Sequence, residues 1–338
     1  MEKNVLHYFI DTNSSRGFVS FWESNFGKLK NVVKLDGYPD LLAAQILSQV
    51  CAQALGEDLE VELIHNCLDN SLQGIILPGL DAGLVNFPAY SDESYSVRLT
   101  ADENLSKARA GIQEAYGCFA QALAIHDDWE KIYISNIDFK ALDTLAEETV
   151  AKLLGDGKTE NAGSGVDRFF GAATVNGSYD YIPNITQEIP KRYFLKGRPG
   201  TGKSTFLKKI SKAAQERGYR VEIYHCAFDP NSLDMVVIRE LGVCVFDSTS
   251  PHEYFPERET DEIIDIYEAA VKPGTDETFQ KEIADCSAGY KAKVKEAAQR
   301  LGEARLAYHQ YQRGVLDAVN PDRRIGSMDW VIGKLFGR

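Results

Sequence analysis

The chain has 338 residues, long for a single core, and its 44% hydrophobic and 26% charged residues are those of an ordinary globular protein, far from disordered, collagenous or membrane classes. A formal charge of −13 disfavours sequence-independent nucleic-acid binding, because the most basic stretch (Lys291, Lys293, Lys295, Arg300, Arg305) is interleaved with Glu296 and Glu303 at helical spacing and reads as a solvated helix face. The six cysteines (Cys51, Cys67, Cys118, Cys226, Cys244, Cys286) form no C-x-x-C pair, residues 1–10 hold no apolar leader, and no run of about 18 apolar residues occurs. The expectation is a cytoplasmic protein with neither a membrane nor a nucleic acid as partner.

Slid along itself by 160 residues, the chain matches twice. Leu35 falls on Leu195, Gly37 on Gly197, Pro39 on Pro199, Leu47 on Leu207, Val61 on Val221, Glu62 on Glu222, His65 on His225 and Asp69 on Asp229, with Phe9 on Phe169 upstream. A shift near 182 aligns the ends, 151–155 on 333–337. The predicted organisation is therefore two copies, 1–157 and 166–338, joined by a polar, glycine-rich run at 155–165 that suits a flexible linker. In each copy an apolar strand leads to a glycine turn, an amphipathic helix, a second and a third strand, and a long helical tail. In copy two these are 192–196, the turn, 204–217, 220–225, 242–247 and helices from about 261. Alternating strands and helices predict an α/β fold with a mostly parallel sheet flanked by helices in each copy.

The glycine turn of copy two reads Gly197-Arg-Pro-Gly-Thr-Gly-Lys-Ser204, a match to the phosphate-binding P-loop pattern, after the apolar Tyr193-Phe-Leu195 and before a helix. Glycines there let backbone amides turn toward phosphates, and the helix N-terminus adds partial positive charge. Lys203 is expected on the β- and γ-phosphates, Ser204 on magnesium and Thr205 on the α-phosphate, so that Gly197, Arg198, Pro199, Gly200, Thr201, Gly202, Lys203, Ser204 and Thr205 form the nucleotide-binding set. Asp247, closing 243–246, is the candidate for the carboxylate that holds the hydrated Mg2+. Copy one has Ala43, Ala44 and Asn86 in place of Lys203, Ser204 and Asp247, a joint loss that links the three in one role and predicts no nucleotide in copy one.

Other candidates are less marked. His225 and Asp229 could position a nucleophile, but His65 and Asp69 retain their types in the copy without a phosphate loop, which favours a turn or capping role. His252 could sense a γ-phosphate or lie on the surface, and His126 with His309 correspond across the copies as helical packing residues. Arg198, Arg239 and Arg258 are possible phosphate or finger residues.

The run 193–210, with Tyr224-His-Cys226, Asp247-Ser-Thr-Ser-Pro-His252 and the degenerate first repeat, resembles a bacterial family of tandem-repeat P-loop ATPases of nucleotide-kinase-like type. That resemblance implies an ATP-binding NTPase domain, duplicated, without an assigned substrate. No N-K-x-D, L-S-G-G-Q or protein-kinase signature occurs. The expected function is hydrolysis of ATP or transfer of its γ-phosphoryl group at Lys203 and Asp247 with Mg2+. The alternative is a nucleotide-operated binding or regulatory module in which the two repeats pack on each other.

Overall fold

The computed structural model describes residues 4–35, 38–90, 102–318 and 321–337. Gly37, which the repeat matches to Gly197, lies outside them. The chain begins with β1 (Val5–Phe9), a hairpin of β2 (Asp11–Ser14) and β3 (Gly17–Ser20), and α1 (Trp22–Phe26). It continues through β4 (Asn31–Lys34), α2 (Asp40–Gly56), β5 (Val61–His65), β6 (Leu72–Leu77) and β7 (Ala82–Val85) to two tail helices, α3 (Glu103–Ile134) and α4 (Phe139–Leu154). The order then recurs: β8 (Ser164–Phe169), β9 (Gly171–Thr174), β10 (Gly177–Asp180), α5 (Ile182–Ile185), β11 (Lys191–Lys196), α6 (Lys203–Glu216), β12 (Arg220–His225), β13 (Leu233–Ile238) and β14 (Val243–Asp247). After β15 (Glu262–Asp265), α7 (Ile266–Ala270) and α8 (Thr275–Thr278) come the second pair of tail helices, α9 (Gln280–Ala318) and α10 (Pro321–Phe336). From Phe139 to Pro321, the starts of α4 and α10, is 182 residues. At that offset the counterpart of His126 is Tyr308, not His309.

Eleven strands form one sheet in the order β15-β11-β14-β13-β12-β8-β1-β5-β6-β7-β4, flanked by the hairpins β2-β3 and β9-β10. Read outward from its middle, five strands on each side follow the same order, β15 at the outer end of the second half having no counterpart among the described residues, and the seam is the antiparallel pair Phe9 and Phe169. The sheet is mixed, which corrects the expectation of a mostly parallel one. β8 pairs parallel with β12, and β11 with β14 and β15, but β13 is antiparallel to both its neighbours. Only residues 226–232 separate β12 from β13, and only residues 239–242, with the turn Arg239–Leu241, separate β13 from β14. Parallel neighbours need a crossover of about a dozen residues or more, so these short links dictate antiparallel pairing.

One face of the sheet is covered by crossed tails. α4 follows the first set of strands in sequence, yet its Leu142, Ala146 and Leu153 pack with Leu207, Ile210 and Ala214 of α6. Reciprocally, Val331 and Leu335 of α10 pack with Ala43, Ile46 and Leu47 of α2. The opposite face is closed by Phe26 of α1 and by Ile182 and Ile185 of α5. α3 and α9 lie against each other, where a Cβ on Gly111 would stand 3.1 Å from the Cβ of Ala304. At the seam, buried Arg168 reaches Glu62 at 2.7 Å and Glu222 at 3.8 Å, its guanidinium 4.0 Å above the Tyr8 ring. One cation thus joins equivalent glutamates of the two halves.

The glycine-rich run at 155–165 is docked, where a free linker was expected. Thr159 N–H donates to Arg217 O at 2.9 Å, a Cβ on Gly163 would overlap Gln215 O, and the last residues of the run already belong to β8. Among the described residues no helix is long and apolar enough to cross a membrane.

Candidate functional site

β11, between β14 and β15, carries buried Tyr193, Phe194 and Leu195 to its C-terminal end, and the chain then turns through 197–202 into α6. Gly200 and Gly202 have φ of +77° and +86°, a region that side chains disfavour. Space is as restrictive as conformation. A Cβ on Gly197 would meet Thr201 Oγ1 at 2.6 Å, one on Gly200 would meet Glu130 O at 2.4 Å, and one on Gly202 would meet Leu142 Cδ2 at 2.6 Å. The last two contacts come from α3 and α4, so the loop is packed from outside by the tail of the first half. Buried Thr201 ties the turn from within, its hydroxyl donating to Arg198 O at 2.8 Å and accepting from Arg198 N at 3.2 Å.

Lys203 opens α6. Its ammonium donates to Arg198 O at 2.9 Å and stands 3.6 Å from Asp247 Oδ2 at the end of β14. Asp247 is held in turn, its Oδ1 accepting from Thr249 N at 3.1 Å and Thr249 Oγ1 at 2.7 Å. Ser204 Oγ accepts the Leu233 N–H at 2.9 Å. The structure therefore brings Lys203, Ser204 and Asp247 to one place, although 44 residues separate the first from the last. Pro199 is partly buried and Thr205 is exposed on the first turn of α6. Arg198 turns away, paired with Asp276 at 3.1 Å and lying 4.9 Å over the Tyr267 ring. The first turn of α6 carries no acidic residue, so its positive end is not offset by its own side chains.

The remaining candidates resolve separately. His225 spends both ring nitrogens on structure, at 2.7 Å from Pro230 O and 2.9 Å from Asp167, and His65 makes the matching contact with Asn70 O at 3.1 Å. Asp229 caps its own turn and pairs with Arg16 at 2.6 Å. Arg239 is paired with Glu222, and Arg258 donates to Ile189 O and Gln187 O. His252 is 2.8 Å from Asp180, edge-on to Phe170.

Sequence reasoning missed the contribution of α3. His126, Asp127 and Glu130 have ligand atoms within 4.8 Å of one another. Burial and then Lys203 push the His126 pKa down, while burial and then Asp127 push that of Glu130 up. It also missed Asp234 on β13, whose pKa burial and then Asp247 raise to about 6. Signals existed for both, a His-Asp-x-x-Glu spacing on one helix face and an acid inside the apolar run 233–238, but neither carries meaning until the fold sets them beside the loop.

In the first half the same place is filled by protein. Asp40 stands where Gly200 does, and its carboxylate accepts from Asn86 Nδ2 at 2.7 Å and Tyr308 OH at 2.7 Å, while its N–H donates to Gln312 Oε1 at 2.6 Å. Tyr308 and Gln312 are the α9 counterparts of His126 and Glu130. Ala43, replacing the lysine, is fully buried.

Comparison with known protein families, curated proteins and solved structures found no match for this chain.

Proposed function

We propose that the chain is a duplicated P-loop NTPase, with an inactive copy at 1–157 and an active one at 166–338, that binds ATP with Mg2+ in the second copy and hydrolyses it or transfers its γ-phosphoryl group. The observation that carries this reading is Lys203, whose ammonium lies between the glycine loop and the Asp247 carboxylate, at the uncompensated N-terminus of α6. A polyphosphate would take the loop amides and the ammonium, with its charge drawn off by both. Ser204 and Asp247 supply oxygen donors of the kind a hard divalent cation takes, with partial hydration. Catalysis would then rest on positioning and charge neutralisation. Filling of the first-half mouth by Asp40, Asn86, Tyr308 and Gln312 supports a single nucleotide site.

A second reading is favoured by one observation, the packing of Glu130 on Gly200. A ligand in the loop would press on α3 and through it on α9, so nucleotide could serve to alter packing between the halves with little turnover. The test is a thermal-shift screen of nucleotides with and without Mg2+, followed by product analysis on the best binder. ATP with magnesium should raise the melting temperature of the parent and leave Lys203→Ala unmoved at equal folding. Equal shifts in parent and variant would remove the assignment, and binding without product would select the regulatory reading.

A further inference from the structure

α3 meets the glycine loop with a side chain as well as with its backbone. The Glu130 main chain is packed on Gly200, where an added Cβ would stand 2.4 Å from the Glu130 carbonyl oxygen and 2.8 Å from its Cα. The Glu130 carboxylate takes the Gly200 N–H. That amide belongs to a turn of the kind whose N–H groups gather anions. An ionised carboxylate only accepts hydrogen bonds, so it offers the amide what a phosphate oxygen would offer. Around it stand His126, with Nδ1 3.6 Å from Glu130 Oε1, and the charges of Asp127, Asp229 and Lys203.

The first half holds the same contact in a locked form. Gln312 of α9 lies 182 residues after Glu130, and Asp40 lies 160 before Gly200, the two offsets of the repeat. There the Asp40 N–H donates to Gln312 Oε1 at 2.6 Å, and Gln312 Nε2 donates to Tyr308 OH at 2.8 Å. Each loop therefore has this amide taken by a side chain from the tail of the opposite half. What differs is how readily that side chain can go. Gln312 is neutral, bonded at both ends and 4% exposed. Glu130 is an acid that an arriving polyphosphate repels, and its side chain is 35% exposed, so it can turn into solvent while the α3 backbone stays on Gly200.

We propose that Glu130 is a built-in plug of the nucleotide site, its carboxylate holding the anion position at Gly200 until a polyphosphate displaces it. This rests on the nucleotide reading given above and adds to it a competitor supplied by the first half. No covalent bond changes in the exchange; one acceptor replaces another on the Gly200 N–H and beside Lys203. Affinity for a triphosphate is thereby set below what the loop alone would give.

The experiment is calorimetric titration of the full chain with MgATP and, separately, with inorganic tripolyphosphate, for the parent, Glu130→Ala, Glu130→Gln and Asp127→Asn. Alanine and glutamine both favour helix, so the fold is kept at this partly exposed position. Glu130→Ala should tighten binding of both probes on the order of tenfold, because the amide no longer has to be released from a carboxylate. Glu130→Gln, which keeps an oxygen for the amide as Gln312 does, should tighten binding by less. Asp127→Asn removes an equal charge from an exposed neighbouring position and should stay within about twofold of the parent. Binding by Glu130→Ala that is equal to or weaker than that of the parent overturns the plug and leaves the nucleotide reading in place. So does an Asp127→Asn variant that gains as much as Glu130→Ala, since charge alone would then account for the effect. Failure of the parent and of every variant to bind either probe removes the nucleotide reading and the plug with it.

Discussion

Gly200 lies against the backbone of Glu130 so closely that a single added carbon would stand 2.4 Å from the Glu130 carbonyl oxygen, and its φ of +77° is one that other residues resist. Strain and overlap act together at this position. Gly200→Ala should therefore destabilise the protein by about 2–4 kcal/mol, combining left-handed strain with overpacking. Gly302→Ala, in α9 with nothing near its missing Cβ, should be neutral or stabilising by up to about 1 kcal/mol. Urea midpoints measure both, and similar values for the two variants would contradict the packing described at the loop.

Arg168 offers a pH-dependent test. Burial pushes the Glu222 pKa up, but Arg168 and Arg239 outweigh it and hold the group below its usual range. A carboxylate depressed in the folded state contributes stability above its unfolded value and loses it as pH falls. Arg168→Met should cost about 3 kcal/mol at pH 7, since buried Glu222 keeps Arg239 but loses the cation it shares with partly buried Glu62. The loss should shrink at pH 5, where Glu222, no longer held down by Arg168, can take up a proton. An equal loss at both pH values would show that the arginine acts by packing alone.

Asp40 behaves in the opposite sense. Burial raises its pKa to about 7, with the bonds from Tyr308 and Asn86 pulling the other way. The folded state holds this proton more tightly than the unfolded chain, so stability falls as pH rises from about 4 toward 7. Asp40→Asn removes the titration, and a turn of the Asn86 amide would let Asn86 Oδ1, which has no partner now, accept a hydrogen bond. The stability gap between variant and parent should widen in favour of the variant by about 2 kcal/mol between pH 5 and pH 8. Chemical denaturation at the two pH values checks this, and a constant gap would remove Asp40 as its source.

Leu142 tests the crossed tails. It is buried in the cluster with Leu207 and Ile210 and touches the place a Cβ on Gly202 would take. Leu142→Ala should cost about 2–5 kcal/mol and, by loosening the loop, weaken MgATP binding more than an equally destabilising change in the α2 cluster, such as Ile46→Ala. Equal effects on binding would mean that α4 supports the fold but not the loop.

Much of this was readable in the chain before folding. The lysine, serine and glycines of the loop are contiguous, and Asp247 ends an apolar run, so local pattern sufficed. The repeat extended that reading to Ala43, Ala44 and Asn86. What could not be read depends on contacts between distant segments. The direction of β13 follows from short links whose meaning appears only once its neighbours are known, and so the parallel expectation failed. Asp234 gains its position from that antiparallel register. The His126-Asp-x-x-Glu130 spacing carries no meaning in the chain alone, and only the crossing of α3 onto the opposite half brings it to Gly200.

The exchange of α4 and α10 has a consequence for how the molecule can change. A fragment ending near residue 157 would leave Leu142, Ala146 and Leu153 bare and strip the roof from its own α2, so neither half is a unit that could be shed or expressed by itself. Change in the first half is therefore bounded by the second, because α4, which follows the first set of strands, packs on α6, the helix that the second half's glycine loop opens.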